Sequence, residues 1–220
     1  MALWVIVGAS RGIGLEMARQ LHDRGEQVVA TARQATPALE ETGAEVVEGV
    51  DVASDDGPAR LAKALAGRRV DALVCNAGIL RSDNLATLDF DSALEHYNIN
   101  ALGPLRVVRA LLDNLGAGSR VGIVTSRVGS LGDNSSGGNY AYRMSKAAAN
   151  MAAKNLSIEL APRSIAVAAL HPGYVRTDMT QGRGNITADV AARGLIMRMD
   201  ALNMDNTGTF WHAEGYELPW

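Results

Sequence analysis

The chain has 220 residues, 47% of them apolar and 20% charged, the proportions of an ordinary globular α/β domain. Its 21 basic and 24 acidic residues leave a net charge of −3 with no basic run, which argues against nucleic acid as a partner, because neutralising phosphates takes clustered Lys and Arg. No apolar stretch approaches the roughly 20 residues that span a bilayer, the first residues carry no basic leader region, and the single cysteine, Cys75, allows no internal disulfide. A cytoplasmic protein without a membrane partner is expected, with Cys75 as a packed core thiol inside an apolar run.

Residues 2–7 form an apolar run of the kind that a strand buried on both faces requires. Directly after it comes Gly8-Ala9-Ser10-Arg11-Gly12-Ile13-Gly14. This turn opens a helix over 12–24, in which Gly14, Met17, Ala18 and Leu21 repeat at i, i+3, i+4 and i+7. Glycine lets the turn take φ > 0 and lets backbone N–H groups approach a pyrophosphate, while the helix N-terminus offers unpaired donors and partial positive charge. A glycine trio is weak evidence by itself. Set between a strand and a helix, it predicts a dinucleotide site.

A second strand over 27–31 is followed by Ala32 and Arg33. An enzyme preferring NAD(H) would carry an acidic residue here for the ribose 2′-hydroxyl. Ala32 brings no charge, and Arg33, with Arg11 of the glycine turn, can pair with a 2′-phosphate, so NADP(H) is expected over NAD(H). After a third strand over 44–47, Asp51, with Val52 beside it, offers an acceptor to the adenine amino group.

Helices follow over 59–65, 90–115, 140–160 and 188–202, and strands over 70–75, 120–125, 165–170 and 208–211. This alternation implies one domain over 1–220 of the α/β class: a doubly wound, Rossmann-type, mainly parallel sheet of about seven strands flanked by helices. Two glycine-rich connections, 129–139 and 180–185, fall where such folds bind ligands. Tyr142 and Lys146 stand four residues apart, on one face of the 140–160 helix. A neighbouring ammonium favours the phenolate and lowers a tyrosine from its ordinary value of about 10, so the pair can exchange a proton with a carbonyl oxygen. Alone, such a pair is as readily a surface pair; its weight comes from the dinucleotide turn.

Taken together, these motifs resemble the short-chain dehydrogenase/reductases along essentially the whole chain. GASRGIG matches the cofactor loop, Asn76-Ala77-Gly78 the NAG motif, Asn100 in NINALGP the helix asparagine, Tyr142 and Lys146 YxxxK, and Pro172-Gly173, Val175 and Thr177 PGxVxT. YAYRMSKAAANM, HPGYVRTDM and GYELPW look like the compact carbonyl-reductase and C-factor-like branch. The resemblance implies an NADP(H)-dependent oxidoreductase acting on a small carbonyl or alcohol. Tyr142 would be the general acid/base, and Lys146 would depress it and hold the nicotinamide ribose. Ser126 would bind the substrate oxygen, and Asn100 would anchor a water of the proton relay. Asn76 and Gly78 would line the adenosine side and Thr177 the carboxamide. Ser10, Ile13, Val52, Ala77, Pro172, Gly173 and Val175 would complete the cofactor side with Gly8, Gly12 and Gly14.

Three departures stand out. Val7 occupies a position where the family carries a threonine, so another contact must hold the turn. Ser126 precedes Tyr142 by 16 positions, longer than the family's usual spacing, and Ser130, at 12, is a rival. The stretch between Thr177 and Ala188 is short, which implies an open substrate side and broad selection. His171 is expected to be structural, and no metal is expected. The small stripe Ala147, Ala148, Ala149, Ala152 and Ala153 fits either core packing or a homo-oligomer, a dimer or tetramer. Two alternatives remain: a dinucleotide-binding signalling protein of C-factor type, and an epimerase or dehydratase, for which the chain lacks a larger substrate region.

Overall fold

A computed structural model describes residues 1–220. Seven strands pair in one sheet: β1 (Leu3–Val7), β2 (Gln27–Thr31), β3 (Glu45–Val47), β4 (Val70–Cys75), β5 (Leu115–Val124), β6 (Ala166–His171) and β7 (Phe210–His212). Their order is β3-β2-β1-β4-β5-β6-β7, and every pairing is parallel. The chain starts in the middle, winds to one edge, then returns to build the other half. The order therefore reverses between β1 and β4, where Val5 lies opposite Leu73 and Val7 opposite Cys75. A crevice opens at the carboxyl ends of strands at such a switch point.

Seven helices cover the sheet. On one face lie α1 (Gly12–Asp23) and α7 (Ala188–Ala201). On the other lie α3 (Asp56–Leu65), α5 (Gly103–Ala110) and α6 (Tyr140–Glu159). β1 shows why both faces need cover: Leu3, Val5 and Val7 enter one core and Trp4 and Ile6 the other, all of them buried. Successive strand side chains point to opposite faces. No helix is long and apolar enough to cross a membrane.

The helical boundaries differ from expectation in three places. The single helix read over 90–115 is broken into α4 (Phe90–Tyr97), a wider π turn over Asn98–Leu102, and α5. The Gly103 N–H reaches back five residues to the Asn98 carbonyl, and Pro104, with no N–H, cannot supply the ordinary four-residue bond to Asn100. The chain then turns, and β5 begins at Leu115 rather than 120, with an irregular register against β4 between Val70 and Ala72. α3 starts at Asp56 and not 59, because Gly57 and Pro58 fit a first helical turn. Gly57 is also packed so closely that a Cβ there would lie 2.3 Å from the Asp51 carbonyl oxygen. A short helix, α2 (Pro37–Glu40), capped by the Thr36 hydroxyl, was not foreseen.

Candidate active site

The glycine turn between β1 and α1 is held by close backbone approach. Gly8 takes φ +86°, and a Cβ there would fall 2.7 Å from Ala77 Cα. A Cβ on Gly14 would fall 2.3 Å from the Gly8 carbonyl oxygen. Any larger residue would fill the cradle at the head of α1. The contact missing at Val7 is supplied from two other strands. Asn76, after β4, donates its side-chain amide to the Gly8 carbonyl at 2.7 Å, and Thr31, at the end of β2, accepts the Gly8 N–H at 3.3 Å. The Val7 carbonyl accepts the backbone N–H groups of Asn76 and Ala77.

Above this turn lies a cleft of about 470 Å³, within the range of small-molecule and cofactor sites. It is lined by Gly8, Ser10, Arg11, Gly12, Ile13, Arg33, Asp51, Val52, Asn76, Ala77, Gly78 and Thr177. Motifs from five strand ends thus share one wall. No acidic residue stands in the first turn of α1, so its N-terminus keeps its positive character toward an anion. The cradle, the open N–H groups and the cleft's size fit a dinucleotide.

Arg33 is exposed at the cleft, whereas Arg11 forms an exposed ion pair with Asp178 at 2.9 Å. Asp51 accepts the Ala53 N–H at 2.9 Å through one carboxylate oxygen. Pro172, Gly173 and Val175 lie outside the cleft lining: Val175 is buried and bridges Ile186, and Gly173, at φ +93°, packs toward Ile186 and His212. They shape the turn that delivers Thr177, whose methyl faces Gly12. Gly14 sits behind the cleft wall as packing. Sequence reasoning did not single out Arg176 or Ile99, which also line it, and read Met179, a further lining residue, as adaptable packing more readily than as a substrate wall. Neither cleft residue type nor motif spacing marks them.

Next to Gly78, which lines the cleft, a second group of side chains comes together. The first turns of α6 carry Tyr142 and Lys146, and the Lys146 ammonium stands 5.7 Å from the centre of the Tyr142 ring. Lys146 is buried and donates to the Val124 carbonyl at 3.0 Å, while the Thr125 hydroxyl donates to the Lys146 carbonyl at 3.2 Å. Burial pushes the ammonium down to about 8. Burial also pushes the Tyr142 phenol up to about 12, against the smaller opposing effect of a hydrogen bond with Ser126. The expected depression of Tyr142 by Lys146 is therefore corrected for this structure. Desolvation outweighs the hydroxyl, and the ammonium is turned to a backbone carbonyl.

Asn100 lies in the π turn, buried, with its side-chain amide fully engaged. It accepts the Ile79 N–H at 2.9 Å and donates to the Ile79 carbonyl at 3.0 Å and to Ser145 Oγ at 2.9 Å. Ser145 in turn donates to the Tyr142 carbonyl at 2.7 Å. A Cβ on Gly78 would sit 3.0 Å from Asn100 Oδ1 and 3.5 Å from Lys146 Nζ, so these groups converge on one point of the chain. Ser126 stands at the phenol. Ser130 is occupied elsewhere: buried, it donates to the Trp220 carbonyl at 2.9 Å and accepts the Asp133 N–H at 3.1 Å.

His171 is buried against His212, ring centres 5.0 Å apart, and desolvation with that neighbour pushes it down to about 3. The Cys75 thiol, buried in the core, is pushed up to about 12. No group of His, Cys, Asp and Glu side chains is arranged to hold a metal ion.

Residues 3–186 match the family model described as short chain dehydrogenase. The chain is 44% identical, over the full length of both, to the 1-hydroxy-2-glutathionyl-2-methyl-3-butene dehydrogenase of Rhodococcus sp. (strain AD45). It is 45% identical to C-signal of Myxococcus xanthus over 69% of this chain and 93% of that protein. Among solved structures it resembles the NADPH-bound carbonyl reductase from chicken fatty liver, with TM-score 0.90 and 26% identity over all of both chains. A carbonyl reductase from Pseudomonas aeruginosa PAO1 in complex with NADP gives TM-score 0.88 and 33% identity, again over all of both chains.

Proposed function

Since this chain belongs to the short-chain dehydrogenases and is an oxidoreductase of that family, we propose that it interconverts a small carbonyl compound and its alcohol, with NADP(H) as redox partner and Tyr142 as general acid/base. One observation carries the reading: Asn100 and Lys146 converge on Gly78, itself in the lining of a cleft that fits a dinucleotide, with Tyr142 beside Lys146 and Ser126 beside Tyr142.

NADPH, when bound, supplies the hydride. The protein's own share is to hold and move the proton. With its phenol pushed up to about 12, Tyr142 holds its proton at neutral pH and gives it only to a stronger base, the oxygen that gains negative charge as hydride arrives. Ser126, the side chain whose hydroxyl opposes the upward push on the phenol, offers a second donor to the same oxygen. Lys146, pushed down to about 8, gives up a proton more readily than an exposed lysine and can restore that of Tyr142. The Asn100 side chain is occupied by Ile79 and Ser145, which leaves its backbone carbonyl, unserved by Pro104, to hold a water. Ser126 takes the substrate role over Ser130, whose hydroxyl is committed to Trp220.

Arg33 and Arg11, with Ala32 in place of an acid, favour the 2′-phosphate of NADP(H) over NAD(H). The similar carbonyl reductases solved with NADPH or NADP bound support NADP(H) binding. A homo-oligomer, dimer or tetramer, has a fitting surface in Phe90, Leu94 and Tyr97 of α4 and Met144 of α6, exposed around an apolar groove of about 410 Å³. We place the protein in the cytoplasm. Similarity to C-signal favours a second reading, a dinucleotide-binding signalling protein.

NADPH and NADH consumption by the purified protein separates these readings, using aldehydes, ketones, quinones and a glutathione-conjugated hydroxyalkene run in reverse. Turnover with NADPH supports the reductase. Tight NADPH binding without turnover of any compound favours the signalling protein, and failure to bind either nucleotide removes the cofactor reading.

A further inference from the structure

His96 lies in the last turn of α4, one turn before Asn100, and is fully buried. Both ring nitrogens are in use. Nδ1 is 2.7 Å from the Ser92 carbonyl oxygen, and Nε2 is 3.0 Å from the Arg81 backbone nitrogen. A backbone N–H only donates and a carbonyl only accepts, so the ring is neutral with its proton on Nδ1. The same ring meets Tyr142 edge-on, centroids 6.4 Å apart and planes at 78°. Lys146 Nζ stands 5.7 Å from that tyrosine ring.

His96 and Asn100 act on one segment. Asn100 grips the backbone of Ile79 through both its amide ends, and His96 accepts the N–H of Arg81. Four helical residues rise about 6 Å, close to the roughly 6.6 Å that two residues of extended chain can cover. One helix face can therefore hold residues 79 and 81 together, just past Gly78 where the site converges. An apolar residue at 96 would fill the same space but leave the Arg81 N–H without an acceptor.

We propose that His96 is a positioning residue for the reaction: fixed by Ser92 and Arg81, its imidazole sets the orientation of the Tyr142 ring and so the direction of its O–H. It rests on the reading of Tyr142 as the general acid and does not require His96 to touch substrate.

Two variants test it. His96→Leu removes both the acceptor and the ring edge at similar volume, while His96→Gln restores an acceptor without the ring. For each, kcat, KM, NADPH affinity and the solvent deuterium isotope effect on kcat are compared with wild type, with sites counted by NADPH titration. His96→Leu should lower kcat per site about tenfold and raise the isotope effect, with NADPH affinity within about twofold of wild type. His96→Gln should recover part of the loss. A folded Leu variant with wild-type kcat and isotope effect overturns the proposal, as does a loss fully explained by fewer NADPH sites. If the Leu variant does not fold, the Gln variant decides, since a raised isotope effect is expected and a wild-type one contradicts it. Tyr142→Phe separates the two levels. Turnover that survives it removes the reading of the site; turnover that it abolishes, beside His96 variants that behave as wild type, removes only the positioning role.

Discussion

The cofactor cleft rests on a backbone turn, and the proton-transfer group beside it is made of buried and half-buried side chains. At the cleft, Gly8 and Gly14 bring chain against chain, and two of its charged residues, Arg11 and Arg33, stand exposed to solvent. In the proton-transfer group, Lys146, Asn100 and Ser145 are buried and bonded to one another or to main-chain carbonyls. Backbone geometry tolerates change in its surroundings and binds by shape, whereas a buried polar network is sensitive to each member. Substitutions in the two regions should therefore fail differently: in affinity at the cleft, in rate at the network.

The largest such contrast is expected at Lys146. Burial holds its ammonium below the ordinary lysine range, so the unfolded chain binds that proton more tightly than the folded one. The buried charge costs stability in full below about pH 8, and the cost is relieved as pH rises toward the ordinary lysine value. Lys146→Met should lower kcat by about 100-fold or more yet raise stability at pH 7 by on the order of 2 kcal/mol, measured by urea unfolding. Equal stability with lost activity would leave the rate effect but remove the burial argument. In wild type, carbonyl reduction should decline as pH rises through about 8, where Lys146 loses its proton; a pH–kcat profile checks this.

Next in size is the serine pair. Ser126→Ala should cost about 100-fold in kcat. Ser130→Ala should leave kcat near wild type and cost about 1 kcal/mol of stability through the lost bond to Trp220. Reversed results would exchange their roles. At the cleft, Arg33→Asp should weaken NADPH binding by about tenfold, with NADH little changed, read by fluorescence titration. Thr31→Val, which removes the acceptor of the Gly8 N–H, should have the smallest effect, about 1 kcal/mol in stability and no change in kcat at saturating NADPH.

The two regions were also unequally legible in the sequence. Gly8 to Gly14 is one contiguous turn, and Tyr142 with Lys146 is one helical face, so local spacing exposes both. Most of the sheet was equally plain, because its strands are short apolar runs, but the polar first half of β5 was not. Contacts between distant positions were not visible. Thr31 substitutes for the missing hydroxyl at Val7 across two strands, and His96 meets Arg81 only because the last turn of α4 and a loop lie side by side. Ser145 shows no motif at all, although it joins Asn100 to the Tyr142 backbone. Ser126 and Ser130 could not be separated by spacing, since a glycine-rich loop absorbs residues at will. The direction of the Tyr142 shift was misread for a physical reason: spacing reports the nearby charge but not the desolvation that exceeds it.

The most direct measurement of the central claim is NADPH oxidation by wild type and Tyr142→Phe with the best carbonyl substrate, each at its own saturating NADPH concentration. A fall in kcat of about a thousandfold with NADPH affinity preserved is expected, because only the proton donor is removed. A Phe variant that turns over at the wild-type rate would contradict it and place the proton on another group.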